Sequence, residues 1–281
     1  MKGLDSMYIL SLYLFWALVT YLLGSLFGLD FHSFNELRFY LLGLISLMSG
    51  LIISIAIQLV MLSIIGRFRM GSKLGSKFNH RLVNSFLNLG KHLLRVAVKV
   101  TGKENIPKGN FVLVSNHQEN YDIIILKPIF KNHPLTFISK ESLMNAPFIG
   151  RWIKILGNIP ISRYADRSAA ESIVKGIKRV KSGWPIGIFP EGRRSFGNEL
   201  LDFKPGALKL AMKPKADILI VTQYNISNVF KNYPFKTQKL YVHIHELVKY
   251  EEYEGLTSHE LAAKVKDTIQ IQLDKFEKMH H

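Results

Sequence analysis

Two long uncharged runs of apolar residues mark the start of the chain, over residues 7–29 and 39–66. At about 1.5 Å per residue, a helix over either run is long enough to cross a hydrocarbon core about 30 Å thick. The first run is longer than the apolar part of a signal peptide, and no cleavage site of small residues is evident. We therefore predict an N-terminal membrane helical hairpin over residues 1–70, with the short polar stretch 30–38 as its link.

Basic residues flank the predicted hairpin at both of its ends. Lys2 precedes the first run, and five basic residues follow the second: Arg67, Arg69, Lys73, Lys77 and Arg81. Lysine and arginine next to membrane helices are enriched on the cytoplasmic side. We therefore expect an integral protein of the cell membrane, with both ends of the hairpin and the rest of the chain on the cytoplasmic side.

Beyond the hairpin, short apolar runs alternate with segments of helical periodicity. The runs that indicate buried strands cover residues 111–115, 135–139, 158–161, 185–189 and 217–222. A further strand is predicted over residues 239–248, where apolar and polar positions alternate. Strands that alternate with helices are typical of an α/β domain. We predict a mixed, largely parallel sheet flanked by helices, in a domain that covers residues 71–281.

Three helices of this domain can be placed more closely. Residues 78–98 carry apolar side chains at helical spacing with basic residues between them. Such a helix either lies on anionic headgroups or packs on the domain, and the sequence leaves both possibilities open. Capping-box patterns at residues 168–171 and 257–260 predict the starts of two further helices.

Composition narrows the class of partner. Hydrophobic residues make up 48% of the 281 residues, which is high for a soluble protein and agrees with a membrane segment. The 37 Lys and Arg against 21 Asp and Glu give a formal net charge of +16, which favours an anionic partner. The absence of cysteine excludes a disulfide framework, a cysteine zinc site and a thiol nucleophile.

A histidine and an aspartate stand five residues apart directly after the first predicted strand, in the stretch NHQENYD at residues 116–122. Positions five apart on a straight helix point about 140° away from each other, so His117 and Asp122 can meet only where a loop bends into a helix. A carboxylate that binds one imidazole nitrogen leaves the other nitrogen free to accept a proton from a hydroxyl. The pair is therefore a candidate general base with its orienting carboxylate.

Two further blocks follow in order, GNIPISR at residues 157–163 and FPEGRRS at residues 189–195. Together with NHQENYD they resemble the glycerolipid acyltransferase family, over roughly residues 95–225. The resemblance implies that His117 is the general base that deprotonates an acceptor hydroxyl and that Asp122 orients it. It implies no covalent acyl-enzyme.

The resemblance also implies a site for the glycerol phosphate of the acceptor, formed by Glu191, Gly192 and Arg194 of the third block. Arg163 closes the second block, and a guanidinium suits bidentate binding of phosphate. Gly192 permits a tight turn and a close approach of the backbone to the ligand. Lys140, directly after the predicted strand 135–139, is a further phosphate candidate.

Three positions depart from the residues that are usual in the family. Glu119 stands where a serine is usual, Ser162 where an acidic residue is usual, and Arg193 where a threonine is usual. The fourth family block is a strand that contains proline, and residues 218–223 contain none. Two alternatives therefore stay open, which are an acyltransferase for another lysophospholipid and a non-catalytic membrane protein that binds anionic lipid.

The function implied by the resemblance is transfer of a fatty acyl group from acyl-CoA or acyl carrier protein to lysophosphatidic acid. The expected partners are these two substrates and the lipid bilayer. Nucleic acid is not expected, because the basic residues are spread along the chain and two membrane runs are present. Neither a cofactor nor a metal is expected, since His243 and His245 on a predicted strand have no evident third ligand.

Overall fold

A computed structural model describes residues 3–29, 36–162, 167–231 and 233–280, and its centre is a seven-stranded sheet. The strands are β1 (Val96–Thr101), β2 (Val112–Ser115), β3 (Thr136–Lys140), β4 (Ile159–Ile161), β5 (Ile186–Ile188), β6 (Ile218–Tyr224) and β7 (Gln238–Val248). Their order across the sheet is β1-β7-β6-β2-β5-β3-β4. Only β6 and β7 pair antiparallel, so the predicted mixed, largely parallel sheet is confirmed.

The carboxyl ends of five parallel neighbours, β6, β2, β5, β3 and β4, meet at one edge of the sheet. Loops at this edge of an open α/β sheet are where ligands usually bind. The first and third sequence blocks with candidate chemistry follow β2 and β5, and the second contains β4 and extends beyond its end. The topology therefore directs all three blocks to the same edge.

Eight α-helices accompany the sheet in the described part of the chain. They are α1 (Gly3–Leu26), α2 (Leu37–Arg69), α3 (Lys77–Leu93), α4 (Asp122–Ile129), α5 (Ile149–Leu156), α6 (Arg167–Lys181), α7 (Pro205–Met212) and α8 (Ser258–His280). Side chains of α6, α7 and α8 bury one face of the sheet, and side chains of α4 bury the other. Because both faces are covered, the central strand β2 is buried at all four of its residues, three of which are apolar.

The first two helices fit the predicted hairpin. Met7–Leu26 and Leu37–Arg69 are long and apolar enough to cross a membrane, and only 11% and 22% of their most apolar stretches are buried. The buried residues of α2 recur at every fourth position, and small residues are among them, as at Ser46, Gly50 and Ser54. Small residues let two apolar helices approach closely. The two helices therefore indicate association with a membrane, while residues 30–35 of the link lie outside the described part.

The helix predicted over residues 78–98 ends earlier. It ends at Leu93, and β1 begins at Val96 after Arg95, whose φ is 52°. The predicted end was wrong because the residues of β1 alternate in burial and pair with β7, which lies far along the chain. Leu82 and Leu89 of α3 are buried, so this helix packs on the protein rather than lying free on headgroups.

The two predicted capping boxes differ in outcome. Thr257 and Glu260 form one at the start of α8, where each backbone amide donates to the other residue's side chain at 2.7 and 3.3 Å. Ser168 lies within α6, which begins at Arg167, so the predicted cap there was wrong.

Candidate active site

The structure brings His117 and Asp122 together at the carboxyl edge of the sheet. The strand β2 ends at Ser115, the chain bends, and Asp122 is the first residue of α4. The imidazole Nδ1 of His117 lies 2.6 Å from Oδ2 of Asp122. This is the bend from loop into helix that the five-residue spacing requires.

Asp122 is fully buried, and backbone amides hold its carboxylate. Oδ2 accepts from Gln118 N at 2.8 Å, and both oxygens accept from Glu119 N at 3.2 Å. Burial raises the pKa of the Asp122 carboxyl, whereas the His117 imidazole and these amides act against that rise. With Oδ2 facing Nδ1, the proton of a neutral imidazole stays on Nδ1, and Nε2 is the basic nitrogen.

The His117 ring is held in place and still reachable. It stacks on Phe189, with ring centroids 4.4 Å apart and an angle of 16° between the planes. About a fifth of the side chain is exposed (19%), and no described residue bonds to Nε2. A hydroxyl that approaches from the open side can therefore reach this nitrogen.

Glu191 supports the backbone of the candidate base. The residue is 2% exposed, and its carboxylate accepts from His117 N at 2.7 Å and from Leu201 N at 3.2 Å. Burial raises the pKa of Glu191 to about 7, against the two backbone hydrogen bonds. The Glu191 carboxylate thus binds backbone amides, and these contacts hold the loop that carries His117.

Gly192 makes the turn that follows. Its φ is +69°, a left-handed conformation that costs glycine little, and a Cβ there would lie 2.9 Å from Nζ of Lys204. The turn returns the chain towards the first block, where Ser195 N donates to His117 O at 2.8 Å and Phe196 N donates to Gln118 O at 3.2 Å. The first and third blocks therefore form one surface.

Arg194 lies on this surface beside the histidine loop. Its Nη1 is 3.2 Å from Oε2 of Glu119, and its guanidinium lies 4.5 Å from the centre of the Phe196 ring. The arginine is about one quarter exposed (28%), so it is accessible to an anion. Glu119, at the position that departs from the family pattern, is the group that now pairs with this positive charge.

Lys140 ends β3 at the same edge and is exposed. In the sheet, β5 lies between β2 and β3, which places the ends of β2 and β3 about 10 Å apart. Arg163 lies outside the described residues, so its proposed part in phosphate binding stays a prediction. Ile161, two residues earlier, pairs with Lys140 across β3 and β4.

A buried amide network beside the histidine was missed from the sequence. Gln118 accepts from Ile226 N at 2.7 Å and donates to Asn198 Oδ1 at 2.9 Å, and Asn116 exchanges two hydrogen bonds with the backbone of Gln223. The network ties the histidine loop to the end of β6. A glutamine at 223, within a wholly buried strand, was the indication available in the sequence.

No third metal ligand is evident in the sequence beside the two histidines of β7, and the structure shows what these histidines contact. His243 bonds to Thr101 and His245 to Thr222, each at 2.8 Å. Across the described ranges, no group of three or more His, Cys, Asp or Glu is placed to hold a metal ion.

Comparison with known proteins identifies the family. Residues 97–224 match the model of the Acyltransferase family. A 1-acyl-sn-glycerol-3-phosphate acyltransferase of Borreliella burgdorferi is 37% identical over 200 residues, which cover 68% of this chain and 80% of that protein. The Saccharomyces cerevisiae protein of the same name is 35% identical over 147 residues, which cover 51% of this chain and 48% of that protein. The chain thus spans most of the first relative and about half of the second.

A solved structure shows the same fold. The crystal structure of the 1-acyl-sn-glycerophosphate (LPA) acyltransferase PlsC from Thermotoga maritima matches with a TM-score of 0.62 at 23% identity. The match covers 79% of this chain and 97% of that one. Together with the family model and a relative matched over 80% of its length, the sheet and its three blocks show that the chain belongs to the acyltransferase family.

Proposed function

We propose that the protein transfers a fatty acyl group from a thioester to the sn-2 hydroxyl of 1-acylglycerol-3-phosphate, which gives phosphatidic acid. The observation that carries the proposal is the contact of 2.6 Å between His117 and Asp122 at the carboxyl edge, with Nε2 open. The names of the relatives from Borreliella burgdorferi and Saccharomyces cerevisiae support the choice of acceptor.

The reaction follows from the orientation of the histidine. The acceptor hydroxyl donates its proton to Nε2 of His117 as its oxygen attacks the thioester carbonyl carbon. Asp122 stabilises the imidazolium that forms, because its carboxylate lies on Nδ1. The tetrahedral intermediate then loses the thiolate as the carbon–sulfur bond breaks, and the thiolate takes the proton from the imidazolium. Proton transfer of this kind typically contributes about 10²–10⁴ in rate.

The phosphate of the acceptor is assigned to the basic groups at the same edge. Arg194 contacts Glu119 of the histidine loop, and Lys140 and Arg163 are assigned to complete the site. An incoming phosphate would replace the carboxylate of Glu119 as the partner of Arg194. Binding therefore exchanges one charged hydrogen bond for a stronger one, since a phosphate carries up to two negative charges.

The thioester is a substrate in this proposal, either acyl-CoA or acyl carrier protein, and neither a cofactor nor a metal takes part. The hairpin at residues 1–70 anchors the protein in the membrane. The domain at residues 71–281 lies on the cytoplasmic side, where the basic residues after α2 meet anionic headgroups. The acceptor, itself a membrane lipid, then reaches the site from the leaflet.

Acyl transfer by the full chain in detergent tests the proposal. Labelled acyl-CoA and acyl carrier protein are each offered with lysophosphatidic acid, lysophosphatidylcholine or glycerol 3-phosphate, and the products are separated. We expect labelled phosphatidic acid from lysophosphatidic acid and little product from the other two acceptors. A product from lysophosphatidylcholine alone would favour the other-lysophospholipid alternative, and no product from any pair would favour the non-catalytic alternative.

A further inference from the structure

The loop that joins β6 to β7 exposes aromatic rings. We call residues 226–237 the aromatic loop, of which all but Asn232 are described. Phe230, Tyr233 and Phe235 are 49%, 42% and 85% exposed. Single exposed apolar residues are common on protein surfaces, whereas aromatic rings grouped on one loop indicate an interaction site.

The rings are exposed on a loop that is otherwise fixed. Ile226 and Val229 are buried at its start, and Arg95 donates from Nη1 to Pro234 O at 2.9 Å near its end. Phe230 contacts Tyr121 edge to face at 5.3 Å, and Tyr233 contacts Phe230 at 6.0 Å. The loop is therefore held in a shape that leaves Phe235 outward.

The charged side chains of the loop and of the adjoining strand residues are all basic. Residues 218–245 contain no Asp or Glu, whereas Lys231 and Lys236 lie in the loop itself and are exposed. Aromatic rings with lysines around them are typical of segments at the interface of a bilayer, and each basic residue near an anionic surface contributes to binding. The loop is thus complementary to an anionic membrane surface.

The position of the loop relates it to the hairpin. Arg95, which holds the loop, comes directly after α3, and His92 near the end of α3 bonds to Tyr13 of α1 at 2.7 Å. Tyr8 of α1 packs on the cluster that contains Leu82 and Val83 in the first half of α3, so the two helices run in the same direction and α1 continues to Leu26 past the end of α3. The aromatic loop therefore lies on the side of the domain from which the hairpin continues.

The loop also adjoins the candidate active site. Phe230 packs on Tyr121, whose neighbour in the sequence is Asp122, and Ile226 N donates to Gln118 in the histidine loop. A surface held on this loop would lie next to the opening through which a lipid reaches His117. These contacts place the aromatic loop beside the candidate active site.

We propose that the aromatic loop inserts Tyr233 and Phe235 into the interfacial region of an anionic bilayer, as a second membrane contact besides the hairpin. The inference rests on the proposed membrane-bound function in one respect, which is that the acceptor comes from the bilayer. Its consequence is that the site opens directly onto lipid, so a lysolipid reaches His117 without crossing water.

Fluorescent labelling of the full chain tests the contact, since the protein contains no cysteine of its own. Phe235→Cys is labelled with an environment-sensitive dye and bound to vesicles of phosphatidylcholine and phosphatidylglycerol that carry a nitroxide high on an acyl chain. Ile271→Cys on α8, at an exposed residue (57%) of the other sheet face, is the matched control. We expect quenching of the dye at position 235 and none at position 271. Equal quenching at both positions, or a shielded dye at 235 before vesicles are added, would overturn the proposal, and the latter would indicate a protein partner.

Activity gives a second readout that separates this proposal from the function itself. Tyr233→Ser with Phe235→Ser should lower acyl transfer to lysophosphatidic acid in vesicles about tenfold, because two rings no longer enter the interface. Transfer to the same acceptor in detergent should not change, and the exposed pair Val174→Ser with Ile271→Ser should change neither rate. An unchanged rate in vesicles would overturn the loop contact, whereas loss of activity by the wild type in detergent would overturn the proposed function instead.

Discussion

Replacing Asp122 with asparagine removes a charge, and the structure determines how the new amide must lie. Oδ2 is the oxygen that faces His117 Nδ1, and it also accepts from the amides of Gln118 and Glu119. An amide nitrogen at that place would meet two backbone donors, so the asparagine oxygen must occupy it. The histidine then keeps its proton on Nδ1, and Nε2 stays basic.

The expected cost follows from that orientation. In the serine protease template, the same substitution stabilises the wrong tautomer and lowers the rate by about 10⁴. Here the tautomer is kept, and only the charge that stabilises the imidazolium is lost. A hydrogen bond to a charged partner contributes about 1.5–3 kcal/mol and a neutral one about 0.5–1.5 kcal/mol. The difference of about 1–2 kcal/mol predicts that Asp122→Asn lowers kcat roughly fivefold to thirtyfold.

Steady-state kinetics in detergent with acyl-CoA and lysophosphatidic acid measure this effect, with circular dichroism as the control for folding. Asp122→Ala should lose far more, because it also leaves the amides of Gln118 and Glu119 without their acceptor. A rate for Asp122→Asn equal to that of wild type would show that the carboxylate does not act on the base. A loss near that of the protease template would show that the asparagine amide has turned over, with its nitrogen instead of its oxygen facing His117 Nδ1.

Three further predictions concern charges around the site and in the core. Arg194→Ala should raise KM for lysophosphatidic acid about tenfold to a hundredfold, with little change in KM for the thioester. The control Arg193→Ala, which alters the exposed neighbouring arginine, should leave both KM values unchanged. Glu119→Gln should lower KM for the acceptor about twofold to fivefold, because Arg194 loses a competing partner that is only partly buried. Burial lowers the pKa of Lys127 from 10.5 to about 7, so the unfolded chain binds this proton more tightly than the folded protein does. The free energy of unfolding should therefore rise as pH increases from about 7 to about 10.5. Melting curves at a series of pH values in detergent should show this slope for wild type and lose it in Lys127→Met.

The central strands could be predicted because their physics is local. A strand with both faces buried is a continuous apolar run, and the runs at 111–115 and 217–222 overlap β2 and β6 closely. The strand β1 was missed for the opposite reason. Its alternating valines follow α3 almost directly, and what makes them a strand is pairing with β7, where Thr101 lies opposite His243.

The same contrast applies to the site. His117 and Asp122 stand five residues apart, so their meeting depends only on one bend. The contact between Glu191 and the backbone of His117 joins residues 74 positions apart, and the sequence gives no distance between them. Likewise the contact between Gln118 and Asn198 joins residues that follow two different strands, β2 and β5, which pair in the sheet. The residue types therefore predict the candidate base and its orienting carboxylate, whereas the contacts that hold the histidine loop in place depend on the fold.

Phosphatidic acid formation by His117→Ala, measured beside wild type and the matched control His243→Ala, tests whether His117 is the general base. We expect product from wild type and from His243→Ala, and a rate for His117→Ala lower by about 10²–10⁴ in a protein that stays folded and bound to membrane. A folded His117→Ala variant that works within about threefold of wild type would exclude His117 as the base, because general-base catalysis contributes far more than that.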